Sequence, residues 1–213
     1  MNPKNQIKVH RRLMHQTLSI VRLAFTCLCV GIFSLAQNLS FAATETKDFE
    51  KSTNNSGQNN LPTPQEIRQD WKPLGQGEMR WLGLRLYHAS LWTPTGTWAP
   101  NQPFALELRY ARDIAAHRLV DASLDEIKRL HVNALDEALQ QRWSKHLQLI
   151  FPDVKTGDVI IGISLPDQGA AFFHQNRLIG QINEPKFAEK FFAIWLSPET
   201  REPRLRRQLL RLN

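Results

Sequence analysis

Arg85 and Tyr87 stand two residues apart in a largely apolar stretch, MRWLGLRLYHASLW, running from Met79 to Trp92. A guanidinium keeps its charge when desolvated and presents a planar fork of donors, and a phenol adds an O–H. Side by side, the two groups are suited to holding a carboxylate or polarising a carbonyl. Leu82, Leu84, Leu86 and Trp92 fall on one parity of the stretch, and Trp81, Tyr87, Ala89 and Leu91 on the other. Read as one strand, it is apolar on both faces and must be covered on both. Helices supply one cover, and a ligand cavity is the expected second. The alternative is an ordinary two-sided core strand with Arg85 snorkelling from its end.

Other chemistry finds little support. Gly162-Ile163-Ser164-Leu165-Pro166 lacks the last glycine of a nucleophile elbow and lies within a strand pattern. His88, His117, His131, His146 and His174 show no spacing that sets two ligands on one helix face, so no metal is expected. Gly75-Gln76-Gly77 has no third glycine and reads as a turn, so no nucleotide cofactor is expected either. Asp153, Asp158 and Asp167 sit among turn residues, where aspartate caps backbone N–H groups.

The N-terminus is a different kind of segment. Lys4, Lys8, Arg11, Arg12 and Arg22 precede 14 uncharged residues from Leu23 to Ala36, and Ser40-Phe41-Ala42 supplies small residues for cleavage. Residues 1–42 thus read as a signal peptide and the protein as periplasmic, with an uncleaved leader anchored in the inner membrane as the alternative. Met14 offers a second possible start. The chain has 27 Lys and Arg against 20 Asp and Glu, but five of the bases and none of the acids lie before Ala43, leaving 22 against 20. A nearly neutral mature chain carries no nucleic-acid footprint. Arg201, Arg204, Arg206, Arg207 and Arg211 read as the wet face of a terminal helix. Cys27 and Cys29 both lie in the leader, so a cleaved chain depends on its core and not on disulfides.

Residues 43–64, with STNNSGQNN from Ser52 to Asn60, read as a flexible linker. One domain spans 65–213, its ordered part beginning near Trp71. FALELRYAR alternates cleanly over Phe104 to Arg112 and predicts a strand. Helical spacing of Ile127, Leu130, Ala134, Ala138 and Leu139 predicts a helix or helix pair from about Ala115 to Leu149, opened by a Ser123…Glu126 capping box. Strands follow over Asp158–Leu165, Ala170–His174 and Leu178–Ile182. A helix from Pro185 turns Phe187, Phe191, Ile194 and Trp195 inward, and Ser197-Pro198 opens a last helix. The order makes an α+β domain, an antiparallel sheet with a layer of helices on one face.

The strings GEMRWLGLRLYHASLW and FPDVKTGD, the Gly169…Gly180 hairpin and the closing FFAIWLSPETREPRLRRQLL together resemble the bacterial chalcone isomerase-like family of exported proteins, over about residues 71–212. The resemblance implies the chalcone isomerase fold, with a ligand cleft between sheet and helices. Plant isomerases of that fold close a flavonoid ring with an arginine, a threonine, and a tyrosine, lysine and asparagine at the starts of the following helices. Here Asp113-Ile114-Ala115-Ala116-His117-Arg118-Leu119 stands where the tyrosine and lysine would be sought, without a tyrosine. The fatty-acid-binding relatives are more similar at the strand, with an arginine after a glycine pair, here Arg80, and a tyrosine, here Tyr87. Arg80 and Tyr87, seven apart, share a face only if Gly83 marks a bulge; otherwise Arg85 is the better anchor. The expected binding residues are Tyr87, Arg80 and Arg85, and the expected partner is a small hydrophobic or amphipathic ligand such as a fatty acid. Membrane attachment is expected only through an uncleaved leader. An isomerase or lyase, and a non-catalytic envelope interaction protein, are the alternatives.

Overall fold

The computed structural model describes residues 61–131 and 136–212. The leader, the linker through residue 60 and the inward reading of Ala134 lie outside them. Six strands form one antiparallel sheet in chain order: β1 (Lys72–Trp81), β2 (Leu84–Thr93), β3 (Phe104–Tyr110), β4 (Val159–Leu165), β5 (Gly169–His174) and β6 (Arg177–Ile182). Helices α2 (Ala116–Leu130) and α3 (Glu137–Ile150) are inserted between β3 and β4, and α4 (Pro185–Leu196) and α5 (Pro203–Leu210) follow β6. These four helices back one face of the sheet. The architecture is the expected α+β layer arrangement.

Helix α4 lies at the centre of the layer because PKFAEKFFAIWL carries aromatics at helical spacing. Phe187, Phe191 and Trp195 are buried and contact one another in sequence, with ring centroids 5.4 and 5.5 Å apart. Phe151, Phe172 and Phe192 pack around Phe191 at 5.2 to 6.1 Å, mostly edge to face, as ring quadrupoles favour. Asp136 caps α3 by accepting from Leu139 N at 2.7 Å. Asp153 does the same for α2 from across the fold, accepting from Ala116 N at 2.7 Å. Asp158 accepts from Lys155 N at 2.9 Å and meets His174 at 3.1 Å. Asp153 and Asp158 thus cap backbone N–H groups, as their turn settings imply.

Four local expectations are corrected. Met79–Trp92 is not one strand: Leu82 and Gly83, with φ of 47° and 79°, form the two-residue loop of a hairpin in which Trp81 pairs with Leu84. Two positive φ values mark a type I′ turn, whose twist matches its flanking strands. Gly75 and Gly77 lie inside β1 and not in a turn. A Cβ on Gly75 would run into the carbonyl oxygens of Gln208 and Leu209, and one on Gly77 into Gln208 Oε1, so the glycines admit α5 against the strand. The Ser123…Glu126 pair sits within α2, where Ser123 Oγ donates to Leu119 O at 2.7 Å, and does not open a helix. The last helix starts at Pro203, the segment Ser197–Thr200 being a turn.

The sheet's second face also has a cover. Helix α1 (Pro64–Asp70), absent from the sequence reading, begins with a capping box in which Glu66 N donates to Thr63 Oγ1 and Thr63 N to Glu66 Oε2. Its Ile67 is buried on Ala105, Val159, Ile161, Ile163, Ala171 and Phe173, and Arg68 pairs with Glu107 at 3.1 Å. The ordered domain therefore starts before Trp71.

Candidate functional site: a phenol under the helix layer

Tyr87 is carried by β2, a strand whose Ala89 and Leu91 are fully buried on the same side beneath the helices. Pairing sets it between Met79 of β1 and Tyr110 of β3. Its ring meets that of Tyr110 edge to face at 6.0 Å. Trp195, in the last turn of α4, donates from Nε1 to the Tyr87 hydroxyl at 2.9 Å. The phenol oxygen accepts in that bond, so its own O–H remains a donor. Burial pushes the pKa values of Tyr87 and Tyr110 up, which keeps both phenols neutral.

The chain after α4 forms the rim. Thr200 Oγ1 donates to Ile194 O at 2.6 Å and Arg206 Nε to Leu196 O at 2.8 Å, closing the C-terminus of α4. Glu202 follows, its pKa raised by burial and then by the charge of Glu126, and its own charge reinforces the neutrality of Tyr87. Glu126 is held by Arg129 at 2.9 Å and Arg201 at 2.7 Å. A neutral phenolic donor beside a partly desolvated acid can bind a carbonyl or carboxyl oxygen. It is not poised to remove a proton.

Arg80 and Arg85 lie elsewhere. The pairing register jumps from Met79↔Tyr87 to Arg80↔Arg85, leaving Leu86 as an extra residue of β2. The bulge is therefore at Leu86 and not at Gly83. It places Arg80 and Arg85 opposite one another, on the side of the hairpin away from Met79 and Tyr87. Both bind Glu78: Arg80 Nη2 at 2.7 Å and Arg85 Nη1 at 3.0 Å. The two arginines, Arg85 foremost, hold the Glu78 carboxyl below its usual range. The structure thus brings together the two arginines, and separately Tyr87, Tyr110 and Trp195. Sequence reasoning placed Trp195 inward but did not connect it with Tyr87, 108 residues away. Tyr110 carried a signal, since it shares the buried parity of FALELRY. A surface depression lined by Leu61, Leu165, Gln168, Ala171, Gln181 and Asn183 includes none of the three expected residues.

Among solved structures, a fatty-acid binding protein of Arabidopsis thaliana superposes with a TM-score of 0.54 at 10% identity, covering 66% of this chain and 87% of that one. This likeness establishes the fold. A Haemophilus influenzae protein described as uncharacterized is 32% identical over 141 residues, 66% of this chain and 68% of its own length. Residues 75–211, from the β1 glycines to the end of α5, match the chalcone isomerase-like family. With that match spanning sheet, helix layer and Tyr87 together, the chain belongs to the chalcone isomerase-like family.

Proposed function

We propose that the protein is a non-catalytic binder of a small amphipathic molecule, such as a fatty acid, received between the sheet and the helix layer with its polar head at Tyr87. The observation that carries this reading is the half-buried phenol whose oxygen already accepts from Trp195 while its O–H is still available to donate. The plant protein of the same fold, named for fatty-acid binding, supports the ligand class. The raised pKa of Tyr87 favours binding over proton transfer, because the group stays protonated at neutral pH. Arg80 and Arg85, engaged with Glu78 on the far side of the hairpin, take no part in holding the head group in this reading. Residues 1–42 support export, and the polar composition of 43–60 a tether to the domain.

Delipidated protein titrated with palmitic acid in a calorimeter is expected to show saturable binding. Tyr87→Phe is expected to weaken it about fivefold to tenfold, the worth of one hydrogen bond. Absence of saturable binding would retire the proposal. It would favour a second reading, an interaction protein with a filled interior, which rests on the aromatic packing of Phe151, Phe172, Phe187, Phe192 and Trp195 around Phe191.

A further inference from the structure

The tip of the β1–β2 hairpin is apolar and exposed. Leu82 is 80% exposed and Leu84 46%, with Trp81 half-buried beside them. Leu82 also holds a left-handed backbone, φ 47°, at a turn position that favours Asn, Asp or Gly. That conformation costs a leucine about 1 kcal/mol, and the exposed side chain recovers none of it within the fold. Basic groups flank the tip. The Arg80 and Arg85 side chains are 55% and 53% exposed, and Arg80 Nη1 donates to Gly83 O at 3.2 Å, so its guanidinium stands against the loop. Exposed Arg112 is close by, because Ala111 N donates to Leu86 O at 2.8 Å. Glu78 offsets only one of these charges.

We propose that this tip docks on a lipid bilayer bearing anionic head groups. Leucine side chains entering the acyl boundary, an indole at the interface and arginines reaching phosphates are the groups such a surface recognises. A second copy of the chain fits poorly, since pairing two tips would oppose their arginines. Three apolar side chains also fall far short of the roughly 1,200 Å² that a stable protein interface buries. Bilayer docking is independent of ligand binding: a chain that binds vesicles but not palmitate keeps the first and loses the second.

The test is co-sedimentation of the mature chain from Ala43, freed of the basic apolar leader, with vesicles of phosphatidylcholine alone or mixed with phosphatidylglycerol. Leu82→Asn suits the turn better, so the variant is expected to melt no lower than the parent chain while its partitioning to mixed vesicles falls about tenfold. Arg80→Gln combined with Arg85→Gln is expected to remove most of the preference for the mixed vesicles, about tenfold. Leu82→Trp reports on the tip directly: its added emission is expected to be quenched by brominated phosphatidylcholine in mixed vesicles. Unchanged partitioning of Leu82→Asn together with no added quenching in Leu82→Trp overturns the proposal. So does a parent chain that self-associates through Leu82 and ignores vesicles.

Discussion

The Trp195–Tyr87 hydrogen bond ties the end of α4 to the sheet, joining a buried indole to a half-buried phenol. Tyr87→Phe leaves the indole N–H without its acceptor, and an orphaned buried donor costs more than the bond itself contributes. Urea denaturation is expected to register a loss of about 1–2 kcal/mol. Glu202 acts in the other direction. Burial, with Glu126 second, raises its folded-state pKa above that of an ordinary glutamate, so the folded chain holds the proton more tightly than the unfolded one. The stabilisation this gives is complete below the unfolded pKa and is lost as pH rises through the folded one. Glu202→Gln is therefore expected to raise the denaturation midpoint at neutral pH, to leave it little changed in acid below the glutamate range, and to flatten the profile between them. An unchanged profile would mean that water reaches the carboxyl freely.

Close approach of elements depends on missing side chains. Helix α5 presents Leu205, Leu209 and Leu210 inward and lies directly on β1, where Gly75 leaves room for its backbone and Gly77 for its Gln208 and Leu205 side chains. Gly75→Ala forces a methyl group against two helix carbonyls, which cannot yield as a flexible side chain would. The expected cost is about 1–3 kcal/mol by thermal or chemical denaturation, as for overpacked interiors. Gln76→Ala, on the exposed side of the same strand, is expected to be nearly neutral. Gly180 plays a similar part on β6, where a Cβ would strike the side chain of Ile150 at the end of α3.

Among the described residues, the sheet is clothed on both sides: a thick aromatic layer of helices on one, a single short helix on the other. The thin side is the vulnerable one. Ile67 is the aliphatic side chain of α1 buried on the β3–β5 surface, and its truncation leaves a cavity with little means of collapse. Ile67→Ala is expected to cost about 2–4 kcal/mol. Near-UV circular dichroism is expected to change through Trp71 and Trp92, which pack at that cluster, before the helix layer is affected.

Local periodicity made the central elements legible. The alternation of FALELRY, the Val/Ile-rich run before Leu165 and the aromatic spacing of PKFAEKFFAIWL each require a particular buried face whatever the partner, and together they imply the α+β class. The Met79–Trp92 stretch conceals its hairpin because Leu occupies a turn position where Asn or Gly would signal one. That turn and the Leu86 bulge decide which polar side chains share a side. Likewise nothing local reveals that the Gly75 and Gly77 backbone meets a helix more than a hundred residues later, or that Trp195 reaches Tyr87. Residue types and their periods determined what could be buried and which groups could bind. Register, a one-residue bulge and long-range packing decided that Tyr87 faces the helices while Arg80 and Arg85 face outward, because the side-chain period of two turns every slip of one residue into a change of face.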